Sequence, residues 1–286
     1  KMAPESDLHQ GQFHPLSADQ IGQLTAQGCS CDDWSKVEVA EGFNASAVTA
    51  SHFSGHVRLG VFEKPVSFFG GVAKPSGISH ATIHNCVIGN NVYISRIRNY
   101  IANYVIRDDA VIDNIELLAV EGGSSFGNGV QVAVVNEAGG REIPIYDRLS
   151  AHTAYVLAFY RHRPRVIENL RAMIAGYTTS VTGSMGLVDK GARLLNCRTI
   201  KNVKVGPASL IEGINRLENG SVNSCPEDPV HIGPGVFAED FIACSGSKVT
   251  DGTIIYKCFV GQGTVLSKQY SAENSVFFAN CGGFHG

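Results

Sequence analysis

The sequence carries little charge and concentrates none of it. Asp, Glu, Lys and Arg make up 17% of the 286 residues, and the net charge is −3. Nucleic-acid binding needs a local basic patch; no long basic run occurs, so no nucleic-acid partner is expected. No apolar run approaches the roughly 20 residues that cross a bilayer, so no membrane span is expected. The opening "KMAPESDLHQGQFHPLS" lacks the apolar centre of a signal peptide. With Lys1-Met2 read as a trimming remnant, a cytoplasmic location is expected. Tryptophan occurs once, and Trp34 is expected to pack rather than to form a ligand platform.

The chain is 44% hydrophobic and holds 32 glycines, the composition of a globular, turn-rich β protein. Its length allows one long domain or two ordinary ones. Eight cysteines are scattered among strand-like stretches, and without a secretory signal they read as small core residues rather than disulfides. Cys29 and Cys31 form "CSC", but no second pair follows at zinc-site spacing, so no metal is expected.

The main signal is a repeat. The outline apolar, Gly or polar, any, turn former, small or branched, any, apolar fits seven windows. They begin at Ile88, Ile106, Phe126, Val188, Val205, Ile232 and Val260. Windows 106 and 188 lack the glycine, and window 126 opens on an aromatic. The first two starts lie 18 residues apart and 188 and 205 lie 17 apart, while 205, 232 and 260 are separated by 27 and 28. Three six-residue sides per coil would give about 18, and the longer gaps read as a coil with an inserted loop. Asn-Cys steps recur at 85–86, 196–197 and 280–281, where Asn can take a left-handed corner and Cys can point inwards. Stacked coils bury what one coil cannot. The competing β-sandwich wants hairpin signals that are mostly missing.

Outside the coils, "PLSADQIGQLTAQGCS" predicts a helix with a Ser17/Gln20 capping box, an Ile21/Leu24 stripe and a stop at Gly28. Val37 and Val39 alternate as a short strand. Residues 146–181 predict a helical hairpin. Its first stripe holds Ala154, Leu157, Ala158 and Arg161; Pro164 opens the second, with Val166, Ile167, Leu170 and Ile174, and Gly176 is the candidate stop. The expected organisation is a cap over 1–45, a first coil segment over 46–146, a hairpin insertion over 147–182 and a second segment over 183–286.

The windows resemble the hexapeptide-repeat family. That implies a mainly β fold, a left-handed parallel β-helix of triangular section, against the usual right-handed crossover. A closer resemblance covers nearly the whole chain. "GCSCDDWSKVEV", "FSGHVRLGVF", "IRNYIANYVI", "EGGSSFGNGVQVAVVNEAGGREIPIYDRLSAH", "NRLENGSVNSCPEDPV" and "KQYSAENSVFFANCGGFHG" look like a bacterial family defined as a domain of unknown function. Its members are similar to hexapeptide-repeat sugar acyltransferases and nucleotidyltransferases. The resemblance implies a chain continuing beyond "FHG", a homo-oligomer with a trimer favoured, acyl-CoA as donor, and a sugar or nucleotide-sugar as acceptor. The alternative is a non-catalytic binding or assembly scaffold, for which fold alone assigns no reaction.

Such acyltransferases imply a histidine base, with donors for the developing oxyanion. The densest candidate region is the last one: His285 and Glu273 as a catalytic pair, with Ser271, Asn274 and Asn280 as substrate-binding groups. If that segment is a flat strand, Glu273 and Asn274 face opposite ways. Arg148 and His152, at the start of the hairpin, form the second set. Neither set matches a catalytic motif residue by residue. His80 and His84 do not match the zinc-ligand pattern of a γ-type carbonic anhydrase, and "GGSSFGNG" at 122–129 lacks the lysine of a phosphate loop.

Overall fold

A computed structural model describes residues 13–135 and 138–285. They are mainly β, in two long sheets whose strands run parallel, apart from Phe13–Pro15, which pairs antiparallel with Val37–Ala40. The register builds three apolar columns. The first pairs Val39, Leu59, Ile88, Ile106, Val188, Val205, Val222, Ala243, Val260 and Phe277 in succession. The second is Val48, Ile78, Ile94, Ile112, Leu194, Ile211, Ile232, Val249, Leu266 and Gly283. The third is Cys31, Phe53, Ile83, Ile101, Leu118, Ile200, Leu217, Ala238, Ile255 and Ala272. All but Cys31 at one end and Ala272 and Phe277 at the other are buried. Among the described residues, no helix is long and apolar enough to cross a membrane.

The columns correct the reading of the long gaps. Val205 pairs with Val222, 17 residues on, whereas Ile232 stands in another column beside Ile211. Windows 205, 232 and 260 therefore do not mark one coil with inserted loops. Every side needs an inward apolar residue and then a corner, so the same outline recurs on different sides. Window 126 is no side at all. Phe126 sits in a turn with φ 53°, buried in the main core.

The corners follow from Asn, whose short amide makes the left-handed region tolerable. Asn85, Asn196 and Asn280 have φ 50°, 56° and 61°. Cys86 and Cys197 follow them into the core, donating to His84 O and Leu195 O at 3.2 and 3.4 Å. Corner amides also stack: Asn114 Nδ2 donates to Asn196 Oδ1 at 2.8 Å. Asn196→Ala is expected to cost roughly 1–2 kcal/mol in urea unfolding, and Asn196→Gly less, because glycine keeps the positive φ. Equal losses would show that the corner conformation is not the cause.

Five strands, Thr199–Val205, Arg216–Asn223, Phe237–Cys244, Ile254–Val260 and Ser271–Phe277, turn a corner without a break. Their corner residues Asn202, Asn219, Asp240, Lys257 and Asn274 have φ between 47° and 56°. Asn274 is thus a corner, not the alternating partner of Glu273 in a flat strand. This corner column also docks the chain that follows the strand Leu117–Ala119. Asn202 Oδ1 accepts from Glu121 N at 2.9 Å, Asn219 Oδ1 from Gly127 N at 3.0 Å, and Asn274 Oδ1 from Ala133 N at 3.3 Å.

Helix α1 spans Ala18–Ala26 with the Ser17/Gln20 capping box formed, Leu24 buried and Gly28 at φ 80° after the stop. Trp34 packs on Phe53, ring centroids 6.4 Å apart. Helices α2, Ala151–Phe159, and α3, Pro164–Val181, form the hairpin. Ala154, Leu157, Ala158, Ile167 and Ile174 are buried, but Arg161 lies beyond α2 and Val166 is exposed. Gly176 does not end α3, because buried Val181 anchors a further turn and a half. The insertion forms its own core against Ile242 and Phe259, with Val276 packed at its margin. These three pair in register on the outward side of the long strands. An uncovered coil would carry polar residues there.

Candidate functional site

The start of the helical hairpin and the last long parallel strands line a cleft of about 380 Å³. Asp147, Arg148, Leu149, Ser150 and Ala151 line one side; Cys244, Phe259, Gly261, Gln262, Phe278 and Ala279 line the other. Its cationic wall is built from the sequence just before α2. Asp147 is a junction: its Oδ1 accepts from Asn223 Nδ2 and its Oδ2 from Tyr177 OH, both at 2.9 Å, while its N–H donates to Asn128 Oδ1 at 2.8 Å. Coil, glycine-rich turn and α3 are thereby tied to the residue beside Arg148. The Arg148 guanidinium lies over the Tyr177 ring, 5.1 Å from its centroid. Ser150 caps α2, its Oγ accepting from Thr153 N at 3.2 Å.

Burial and the Asp147 carboxylate together keep the neighbouring Tyr177 and Cys244 in their neutral forms. Burial, and then the Asp147 charge, push the Tyr177 phenol up to about 12. Burial and the same carboxylate push the Cys244 thiol up to about 12, so it is a neutral wall rather than a nucleophile. Phe259 and Phe278, centroids 5.9 Å apart, supply apolar lining to the same cleft.

The candidate residues fall into separate places. Arg148 lines the cleft, and His152 is exposed on α2 next to Ala151, which also lines it. Glu273 is exposed at the end of one side, next to corner Asn274, which donates to its Oε1 at 3.3 Å. His285 is exposed beyond the strand Gly282–Phe284, in the other sheet, and no hydrogen bond or ion pair joins it to Glu273. Ser271 is exposed at the start of its strand, and Asn280 is an exposed corner whose N–H donates to Gln262 O at 2.8 Å. The Asn274 side-chain Oδ1 accepts from Ala133 N–H, tying down the segment that precedes the hairpin. "GGSSFGNG" opens no helix and instead carries Phe126 into the core.

Sequence reasoning passed over one hydrogen-bonded pair. His231 Nε2 lies 3.0 Å from Glu212 Oε1 on the outward side of the second column. The signal was available, since His231 precedes inward Ile232 and Glu212 follows inward Ile211. It required knowing that windows 205 and 232 occupy different sides. Among the described residues, no group of three or more His, Cys, Asp and Glu is placed to hold a metal ion.

A family model described as Domain of unknown function (DUF4954) matches residues 13–286. An uncharacterized protein of Treponema pallidum (strain Nichols) is 31% identical over 259 residues, covering 87% of this chain. The match takes in 34% of that protein, so this chain spans about a third of the length of the relative. The family match runs over nearly the whole sequence, and the chain belongs to the DUF4954 family.

Proposed function

We propose that the three columns form a left-handed β-helix of the hexapeptide-repeat kind, divided by the 147–182 hairpin, and that the cleft beside that hairpin is a transferase site. The reaction is acyl transfer from acyl-CoA to a sugar or nucleotide-sugar. The observation that carries this reading is the cleft itself, lined by one guanidinium held over Tyr177 and by the Phe259 and Phe278 rings. Arginine suits the phosphates of CoA or of a nucleotide-sugar, and Phe259 and Phe278 suit an acyl or pantetheine chain. His152 is the base. It takes the proton of an acceptor hydroxyl as that oxygen bonds to the thioester carbonyl; the C–S bond breaks, and the proton passes to the leaving thiolate. A trimer, as in similar transferases, would bring a second copy alongside the coils. Nucleotidyl transfer at the same cleft is the related alternative.

Release of free thiol from acetyl-CoA, assayed with a panel of sugars and nucleotide-sugars, tests this on the full-length protein. His152→Ala is expected to lower kcat about 100-fold or more, and Arg148→Ala to raise KM, with melting temperature unchanged in both. Unaltered kinetics in both variants would refute the assignment.

The second reading, a non-catalytic assembly scaffold, is favoured by one feature. Tyr155 and Phe159 are 56% and 49% exposed on α2, and Tyr160 beside them is 41% exposed. Self-association lost in Tyr155→Ser/Phe159→Ser, with no thiol release by the wild type, would support it.

A further inference from the structure

A second cavity, of about 500 Å³, lies on the outward side of the second column near the chain's first coils. The antiparallel hairpin Pro65–Ser67 and Ala73–Pro75 contributes part of its wall. Lys74, Ser76, Ser79, Tyr93, Ser46 and Thr49 are among its lining residues. None belongs to the cleft at Arg148.

The charge here is unbalanced. Lys74 Nζ lies 4.4 Å from the Phe68 ring centroid and 5.4 Å from that of Tyr93, so aromatic faces fix the ammonium. Its carboxylate partner is Asp113, 3.8 Å away. Asp113 is already held by Arg96, which donates from Nε at 3.0 Å and from Nη2 at 2.6 Å. A third cation, Arg193, stacks on Phe68 at 5.4 Å and donates to Ser67 O at 2.8 Å. Its Nε is buried without a partner. Two cations, Lys74 and Arg96, therefore share one buried carboxylate, whose two hydrogen bonds come from Arg96, and Arg193 joins Lys74 at the Phe68 ring. Hydroxyls line the cavity: the Lys74 Nζ donates to Tyr93 OH at 3.4 Å, and Ser79 donates to Ser95 at 2.9 Å. Ser76 is 6% exposed and its hydroxyl has no partner. Buried polar groups are normally paired, and the unpartnered Ser76 hydroxyl lines the same cavity as the Lys74 ammonium.

We propose that this cavity binds a small phosphorylated, hydroxyl-bearing molecule of the sugar-phosphate class. Lys74 takes the phosphate, and the serine, threonine and tyrosine hydroxyls take the ring hydroxyls. The volume accommodates a sugar as well as its phosphate. This site stands whether or not the Arg148 cleft is catalytic.

Isothermal titration of the full chain with glucose 6-phosphate and N-acetylglucosamine 1-phosphate tests it, with glucose and inorganic phosphate as comparisons. At least one sugar phosphate is expected to bind, more tightly than either comparison. Lys74→Gln is expected to weaken that binding about tenfold or more, as the loss of a charge-assisted contact does. Ser76→Ala weakens it less, and Lys248→Gln, an exposed lysine farther along the same sheet, leaves it unchanged. Circular dichroism and melting temperature confirm that each variant is folded. No binding of either sugar phosphate would overturn the proposal. So would inorganic phosphate or glucose binding equally well, or an affinity indifferent to both Lys74→Gln and Ser76→Ala.

Discussion

Phe126→Ala is expected to lower the unfolding free energy by about 3–5 kcal/mol, the range for deleting a fully buried aromatic ring. The ring is 1% exposed and belongs to the main core, although the residue lies in the turn that leads into the insertion. Its backbone is held on every side: its N–H donates to Ser124 Oγ at 3.0 Å, and its carbonyl accepts from Ser221 Oγ at 2.7 Å. The next residue, Gly127, has φ 80°, and a Cβ there would lie 2.5 Å from the Phe241 carbonyl. Gly127→Ala therefore combines left-handed strain with a backbone clash that no side-chain rotation relieves. Both variants should lose stability by urea unfolding, and Phe126→Leu should lose less than Phe126→Ala. A loss under about 1 kcal/mol for Phe126→Ala would mean that the turn does not anchor the insertion.

Stability should fall steeply between pH 9 and 12. Burial pushes the Cys86, Cys197 and Cys244 thiols from 9.0 up to about 12, and Cys258 up to about 11. Burial also raises the Tyr104 phenol, whose OH donates to Val203 O at 2.7 Å. The fold favours the neutral thiol, so the unfolded chain loses these protons first. The contribution is complete below pH 9 and is lost as pH rises towards 12. A thiol raised from 9.0 to about 12 accounts for about 4 kcal/mol at the top of that window, a large fraction of the usual stability of a domain. Cooperative loss of far-UV circular dichroism is expected in that window under reducing conditions. Cys86→Ala/Cys197→Ala should move the alkaline midpoint upwards even if stability at neutral pH drops. An unmoved midpoint would show that the thiols do not govern the transition.

How much of this was legible can be traced residue by residue. Asn196-Cys197 announced a left-handed corner and an inward thiol because both requirements act on adjacent residues. Ser17/Gln20 and Pro164 were legible for the same reason, since caps are local chemistry. The assignment of Ile232 to a column was not legible, because the columns share one outline and only the pairing distinguishes them. Phe126 mimicked a coil window because a buried aromatic next to a glycine turn satisfies the same pattern. The cleft at Arg148 depends on outward Ile242 and Phe259, whose apolar character signals a covering element without saying which one. Arg96 and Asp113 meet through the register of the second column, and Lys74 reaches Asp113 from the hairpin Pro65–Ser67/Ala73–Pro75, a pairing that neither residue's neighbours in sequence announce.

The most direct test of the cleft as a ligand site is the melting temperature of the full-length protein with and without acetyl-CoA or a nucleotide-sugar. A ligand that binds the native state raises it by mass action. The account predicts a rise for the wild type that disappears in Arg148→Ala. No rise with any of these ligands, or one that survives Arg148→Ala, would contradict it.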